Sequence, residues 1–150
     1  MAESPLRSPV ASPPNKEERI RAMVADVLVR GPRLSYAEHA SVGSYVFDFL
    51  TLYGPHTAMV LEVASLPLDG DDLSDKAFRC EGYAESTGFP VMLVAGDPVE
   101  RFVRLMLFAG GPSDGTLEEP IPMERFPRRL IETLRELSAT VAEHPVSAGG

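Results

Sequence analysis

Two apolar runs in this chain show no alternation. Tyr45-Val46-Phe47-Asp48-Phe49-Leu50-Thr51-Leu52 and Ala58-Met59-Val60-Leu61-Glu62-Val63-Ala64 are apolar at odd and even positions alike. A strand with one wet face alternates with a period of two, so a run apolar at both parities has to be covered on both faces. The chain therefore calls for helices above and below a sheet. Each run also carries one acid, Asp48 or Glu62, and Lys76 follows in Asp72-Leu73-Ser74-Asp75-Lys76. Carboxylates are costly to desolvate and are rarely buried without a partner. Two acids and a lysine in this setting predict a metal site or a satisfied ionic network.

The 150 residues fit one domain, and a 44% hydrophobic fraction is enough for a core. No apolar run is long enough to span a membrane. Residues 1–14 are rich in Pro, Ser and Ala without an apolar core segment, and read as a disordered leader and not a secretory signal. Residues 15–143 form the expected domain, and 144–150 a flexible tail. A single cysteine, Cys80, excludes an internal disulfide and a Cys-rich zinc site, and fits a reducing cytoplasm. A net charge of −8 disfavours unspecific binding to nucleic acid or anionic membrane, without excluding a local basic groove.

Asn15-Lys16-Glu17-Glu18 is a capping-box pattern, and Ile20, Met23, Val24, Val27 and Leu28 follow at helical spacing until Gly31-Pro32. Leu34 to Ala40 is a strand candidate, and Ser41 to Ser44 a turn. The two apolar runs come next, joined around Pro55. Leu73 to about Thr87 predicts a second helix, with Asp72 as its N-cap. Val91 to Val94 and Arg101 to Phe108 are strands separated by a Gly96-Asp97-Pro98 turn. Gly110 to Pro122 is a loop, and Leu130, Ile131, Leu134, Leu137 and Val141 mark a last amphipathic helix. The order is α-β-β-β-α-β-β-α.

In an antiparallel pair, directly opposed residues have a constant sum of residue numbers. If Leu52 opposes Ala58, Asp48 opposes Glu62, and both side chains point to one face with Cβ atoms about 5 Å apart. Two carboxylates so placed suit a cation. Lys76 shares the helical stripe of Leu73, Cys80 and Tyr83 at steps of three and four, which puts its ammonium within reach of the acids. Oxygen ligands with retained waters suit Mg²⁺, an ion that activates water and polarises a phosphodiester.

With these features the chain resembles the PD-(D/E)XK nuclease superfamily. It is most similar to bacterial restriction endonuclease-like proteins in which the lysine has moved from the strand to the next helix. The resemblance rests on the element order and on Glu62-Val63-Ala64-Ser65, Asp72-Leu73-Ser74-Asp75-Lys76, Tyr83-Ala84-Glu85, Gly88-Phe89-Pro90 and Leu93-Val94-Ala95-Gly96-Asp97-Pro98. Glu38 to Leu105 also resembles the N-terminal nuclease domain of type I restriction subunits, and the whole likeness spans residues 33–108. It implies a restriction endonuclease-like mixed sheet flanked by helices, with Asp48 and Glu62 as metal ligands and Lys76 as the migrated lysine. It further implies Mg²⁺ as cofactor and a nucleic acid as substrate. The sequence departs from the pattern at Ala64, where the superfamily carries Lys, and at Thr57-Ala58, where Pro-Asp often precedes the strand. Those departures imply the alternative, a catalytically inactive nuclease fold reused as an interaction or regulatory module for a protein partner. The oligomeric state is left open, a dimer included.

Other chemistry-bearing residues have plainer readings. Asp69, Asp71, Asp72 and Asp75 lack the Gly and Glu positions of a calcium-binding EF-hand loop. His39, His56 and His144 are scattered, Tyr83 and Cys80 read as core, and Arg125, Arg128 and Arg129 as a solvated cluster before the last helix.

Overall fold

The structure, a computed structural model, describes residues 15–31, 33–54, 57–67, 70–111 and 114–143, with side chains through 138. The expected leader, the tail with His144, Pro55, His56, Asp69 and the side chain of Val141 lie outside the described residues.

Helix α1 (Lys16–Arg30) opens with the expected capping box. The Asn15 side chain accepts from the Glu18 amide at 2.7 Å, and Glu18 Oε1 accepts from the Asn15 amide at 3.1 Å. Its inward stripe, Ile20, Val24 and Leu28, is buried. Strands β1 (Leu34–Val42), β2 (Tyr45–Tyr53) and β3 (Thr57–Ser65) form a meander. Helix α2 (Gly70–Thr87) then crosses over to β4 (Val91–Asp97), which pairs parallel to β3. Strands β5 (Phe102–Phe108) and β6 (Ile121–Pro122) follow, then a 3₁₀ turn (Met123–Arg125) and helix α3 (Phe126–Glu143). The result is a mixed α/β fold, one six-stranded sheet in sequence order with helices on both faces.

Two cores result. One lies between the sheet and α1 with α3, and holds Phe49, Leu61, Val94, Phe126 and Leu130. The other lies under α2 and holds Phe47, Val60, Leu93, Cys80 and Phe108. Strands β3 and β4 feed both, as their non-alternating sequences require. No helix among the described residues is long and apolar enough to cross a membrane.

Several boundaries differ from expectation. Helix α2 starts at Gly70, so Asp72 sits in its first turn and is not the N-cap; an acid there still complements the helix dipole. The loop ahead of α3 contributes β6, which pairs with β5 at Val103↔Ile121. Helix α3 starts at Phe126, so Arg128 and Arg129 belong to it, and Arg129 grips the Glu118 carboxylate at 2.6 and 2.8 Å. Strand β4 runs through the expected turn, because Gly96 pairs with Ser65 on one side and Val103 on the other.

At Gly96 the side chain of Ile20 in α1 packs directly on the β4 backbone. A Cβ there would stand 2.7 Å from Ile20 Cδ1, and Ile20 is fully buried with nowhere to retreat. Gly96→Ala is expected to cost about 1–3 kcal/mol by overpacking. Combining it with Ile20→Val, which removes the clashing methyl, is expected to recover part of that loss in a urea-denaturation double-mutant cycle. Strict additivity would show that the approach of α1 is not what the glycine serves.

Candidate functional site

The β1–β2 hairpin rolls over halfway along its length. Leu34 and Tyr36 in β1 pack into the α1/α3 core, yet Val42, of the same parity, packs into the α2 core. In β2, Phe49 and Tyr53 belong to the first core and Phe47 to the second. A side-chain period of two forbids this in a regular strand, so both strands switch faces between these residues. The switch falls at His39 and Asp48, the one position skipped in the β1–β2 pairing. His39 carries it in the backbone with φ +52°, a left-handed conformation that costs a non-glycine residue about 1–2 kcal/mol. Its imidazole is exposed, and its backbone is the pivot of the roll.

Past the roll, the hairpin tip is held by α2. The Tyr83 ring meets Phe47 edge-on at 4.9 Å and Tyr45 at 5.3 Å between centroids, and Tyr45 Oη bonds Ser86 Oγ at 3.2 Å. The tip is thereby drawn off β3. The β2–β3 ladder runs from Tyr53↔Thr57 through Leu52↔Ala58 to Phe49↔Leu61 and stops, while β3 continues against β4 to Ser65. This is the register expected from the sequence.

The gap beyond Phe49 is filled by the two acids. Glu62 Oε2 accepts from the Asp48 amide at 2.9 Å, and Asp48 Oδ2 accepts from the Val63 amide at 2.8 Å. Side-chain oxygens replace the missing ladder carbonyls, so the parted strands keep satisfied amides. The acids are not a directly opposed pair in a continuous ladder, because the pairing ends at Phe49↔Leu61. Each reaches across to the other strand, and their neighbours come from different layers. Arg21 of α1 donates from Nη2 to Asp48 Oδ1 at 2.9 Å, whereas Glu62 shares a crevice of about 10 Å³ with Lys76, Arg79 and Cys80 of α2 and Leu93 of β4.

Lys76 is beside Glu62 but is not bonded to it. Its ammonium pairs with Glu17 of α1 at 3.9 Å, so the expected contact with one of the two acids is not made. Glu17 also stands 3.6 Å from Arg21. Neither Glu17 nor Arg21 was anticipated from the sequence. Arg21 carries the same signature as Lys76, a cation flanking a buried helical stripe, one residue past Ile20 and four past Glu17.

Burial pushes the Glu62 carboxyl up to about 7, and the charge of Asp48 adds to it; the Asp48 amide, Arg79 and Lys76 offset only part. Burial, then the charge of Glu62, pushes the Cys80 thiol up to about 12. Burial works against the Arg21 guanidinium, but the hydrogen bond and charge of Asp48 prevail and hold its pKa above the usual value. Arg21 Nε is buried without a hydrogen-bond partner among the described residues.

The donor set consists of hard oxygens. No third His, Cys, Asp or Glu joins the pair in a metal-holding group among the described residues, so an ion here would rely on Asp48, Glu62 and water. That is a shell Mg²⁺ accepts. Glu62 has Lys76 and Arg79 beside it in the crevice, but neither is bonded to it. Asp48 fits an ion once Arg21 yields Oδ1.

No protein-family model and no curated protein matches the chain. Among solved structures it is similar to the crystal structure of SSO0001, with 16% identity and a TM-score of 0.38 over 81% of this chain. The matched region spans 58% of that protein's length. A likeness of that degree does not bear on the chemistry of the acid pair.

Proposed function

We propose that this chain is a nuclease-like protein of the PD-(D/E)XK kind, acting by metal-dependent phosphodiester hydrolysis on a nucleic acid. The observation that supports the reading is the opening of the β2–β3 ladder at Asp48 and Glu62. There, two carboxylates on adjacent central strands fill a gap, beside a helix that carries a lysine. Asp48 and Glu62 would hold Mg²⁺. When bound, the ion would supply an activated water and a polarised phosphoryl oxygen. Lys76, released from Glu17, would stabilise charge on the phosphate or orient the water. With one cysteine and no membrane-crossing helix among the described residues, the cytoplasm is the proposed compartment.

A second reading is favoured by one specific contact. Arg21 already supplies Asp48 with its counter-charge, as it would in an inactive fold kept as a module for a protein partner. The two readings separate in a melting experiment. At pH 8 and an Mg²⁺ or Mn²⁺ concentration about ten times Kd, the enzyme reading expects a melting temperature higher by about 3–5 °C. It also expects cleavage of single- or double-stranded DNA or RNA that Asp48→Ala and Glu62→Ala each abolish. Unshifted melting with no cleavage of any of these substrates would sink the enzyme reading and leave the module.

A further inference from the structure

Six charged side chains from both helical layers and two strands converge at the ladder opening, Arg79 lining the Glu62 crevice with Lys76, and the distances of the ion pairs among them are unequal. Arg21 Nη2 is 2.9 Å from Asp48 and 3.6 Å from Glu17. Glu17 in turn is 3.9 Å from Lys76. Among the described residues, no Lys, Arg or His nitrogen lies within 4.0 Å of Glu62.

We propose that Arg21 is a built-in competitor for the divalent ion, with Glu17 as the seat it retreats to. The inference rests on the metal reading of the site and adds a regulation to it. An ion bound by Asp48 Oδ1 and Glu62 repels the guanidinium from that oxygen. Arg21 does not have to leave for bulk water, because Glu17 stands at i−4 on the same helix face and is already close enough to take it. As Arg21 closes on Glu17, the weaker Lys76 contact at 3.9 Å gives way, since an ammonium is a poor rival to a guanidinium for one carboxylate. Lys76 sits on the wall of the Glu62 crevice, so the released amine turns into the site and not away from it. Metal arrival and lysine availability are thereby one event, carried by a single exchange of partners at Glu17. With Arg21 on Asp48 the site is closed to the ion and the amine is tied up. With Arg21 on Glu17 both are available.

The test is Mn²⁺ binding to the full chain, read from the loss of the free-ion paramagnetic resonance signal. Arg21→Met removes the competitor and is expected to tighten Mn²⁺ by about tenfold or more, the scale of one charge-assisted hydrogen bond. Glu17→Gln removes the seat and is expected to weaken Mn²⁺ in the wild-type background. Its effect should largely vanish in the Arg21→Met background, a non-additivity that mere loss of packing does not produce. Arg21→Gln serves as the second variant if Arg21→Met does not fold. Wild-type binding that Arg21→Met leaves unchanged or weaker overturns the competitor while sparing the metal site. Absence of Mn²⁺ binding in wild type and both Arg21 variants overturns both. Binding that emerges only when Arg21 is replaced supports the proposal in its strongest form.

Discussion

Asp48→Ala is expected to destabilise the fold by about 2–4 kcal/mol at neutral pH. The substitution leaves the Val63 amide without its acceptor and Arg21 without its nearest carboxylate. Arg21 and Asp48 side chains are only 22% and 17% exposed, so solvent does little to make good the loss, although Glu17 retains a 3.6 Å contact with the cation. Removing the stranded charge as well, in Asp48→Ala/Arg21→Met, should recover a measurable part of the loss in urea denaturation. Asp48→Asn should fall between, since the amide oxygen still accepts from Val63. Wild-type stability for Asp48→Ala would show that the pair adds nothing to the fold.

Glu62→Gln is expected to do the opposite, one strand away. The folded protein holds a proton on Glu62 up to about 7, whereas the unfolded chain releases it near 4.5. Between those values the native state binds more protons than the unfolded state, so stability falls as pH rises through that window and stays low above it. At about 1.4 kcal/mol per pH unit, the loss reaches up to about 3 kcal/mol by pH 8. Glutamine keeps an oxygen for the Asp48 amide and cannot ionise. The variant should match wild type at pH 4 and exceed it at pH 8 by up to that amount. Parallel stability curves for the two proteins from pH 4 to pH 8 would show that Glu62 ionises at no cost to the fold. Bound Mg²⁺ or Mn²⁺ should erase much of the difference, by giving the wild-type carboxylate a counter-charge.

The antiparallel register, the coverage of both sheet faces and the element order apart from the short β6 were legible in the sequence. Non-alternating runs and a short connection around Pro55 leave few other arrangements, and the Leu52↔Ala58 pairing follows from them. The roll of the hairpin was not legible. Tyr45, Phe47 and Phe49 are all aromatic, so nothing in the pattern marks the point where successive odd residues change cores. The orientation of the two acids depends on that roll, and so each accepts from an amide of the other strand where a regular ladder pair was expected. Lys76 was found on its stripe, but its actual partner comes from α1. Strand-to-helix spacing in sequence says nothing about which helix of the opposite layer ends beside it.

The Tyr45–Phe47–Tyr83 clasp gives the molecule a mechanical asymmetry. The hairpin tip is a cantilever, hinged at His39 and Asp48 and fastened at its free end to α2. The width of the opening is therefore set from outside, by the rod to which the tip is fastened. Lys76 stands two helical turns from Tyr83 on that same rod. Any displacement of α2 along or across the sheet would move the amine and change the gap in one stroke, so the spacing of acids and lysine is adjusted as a unit.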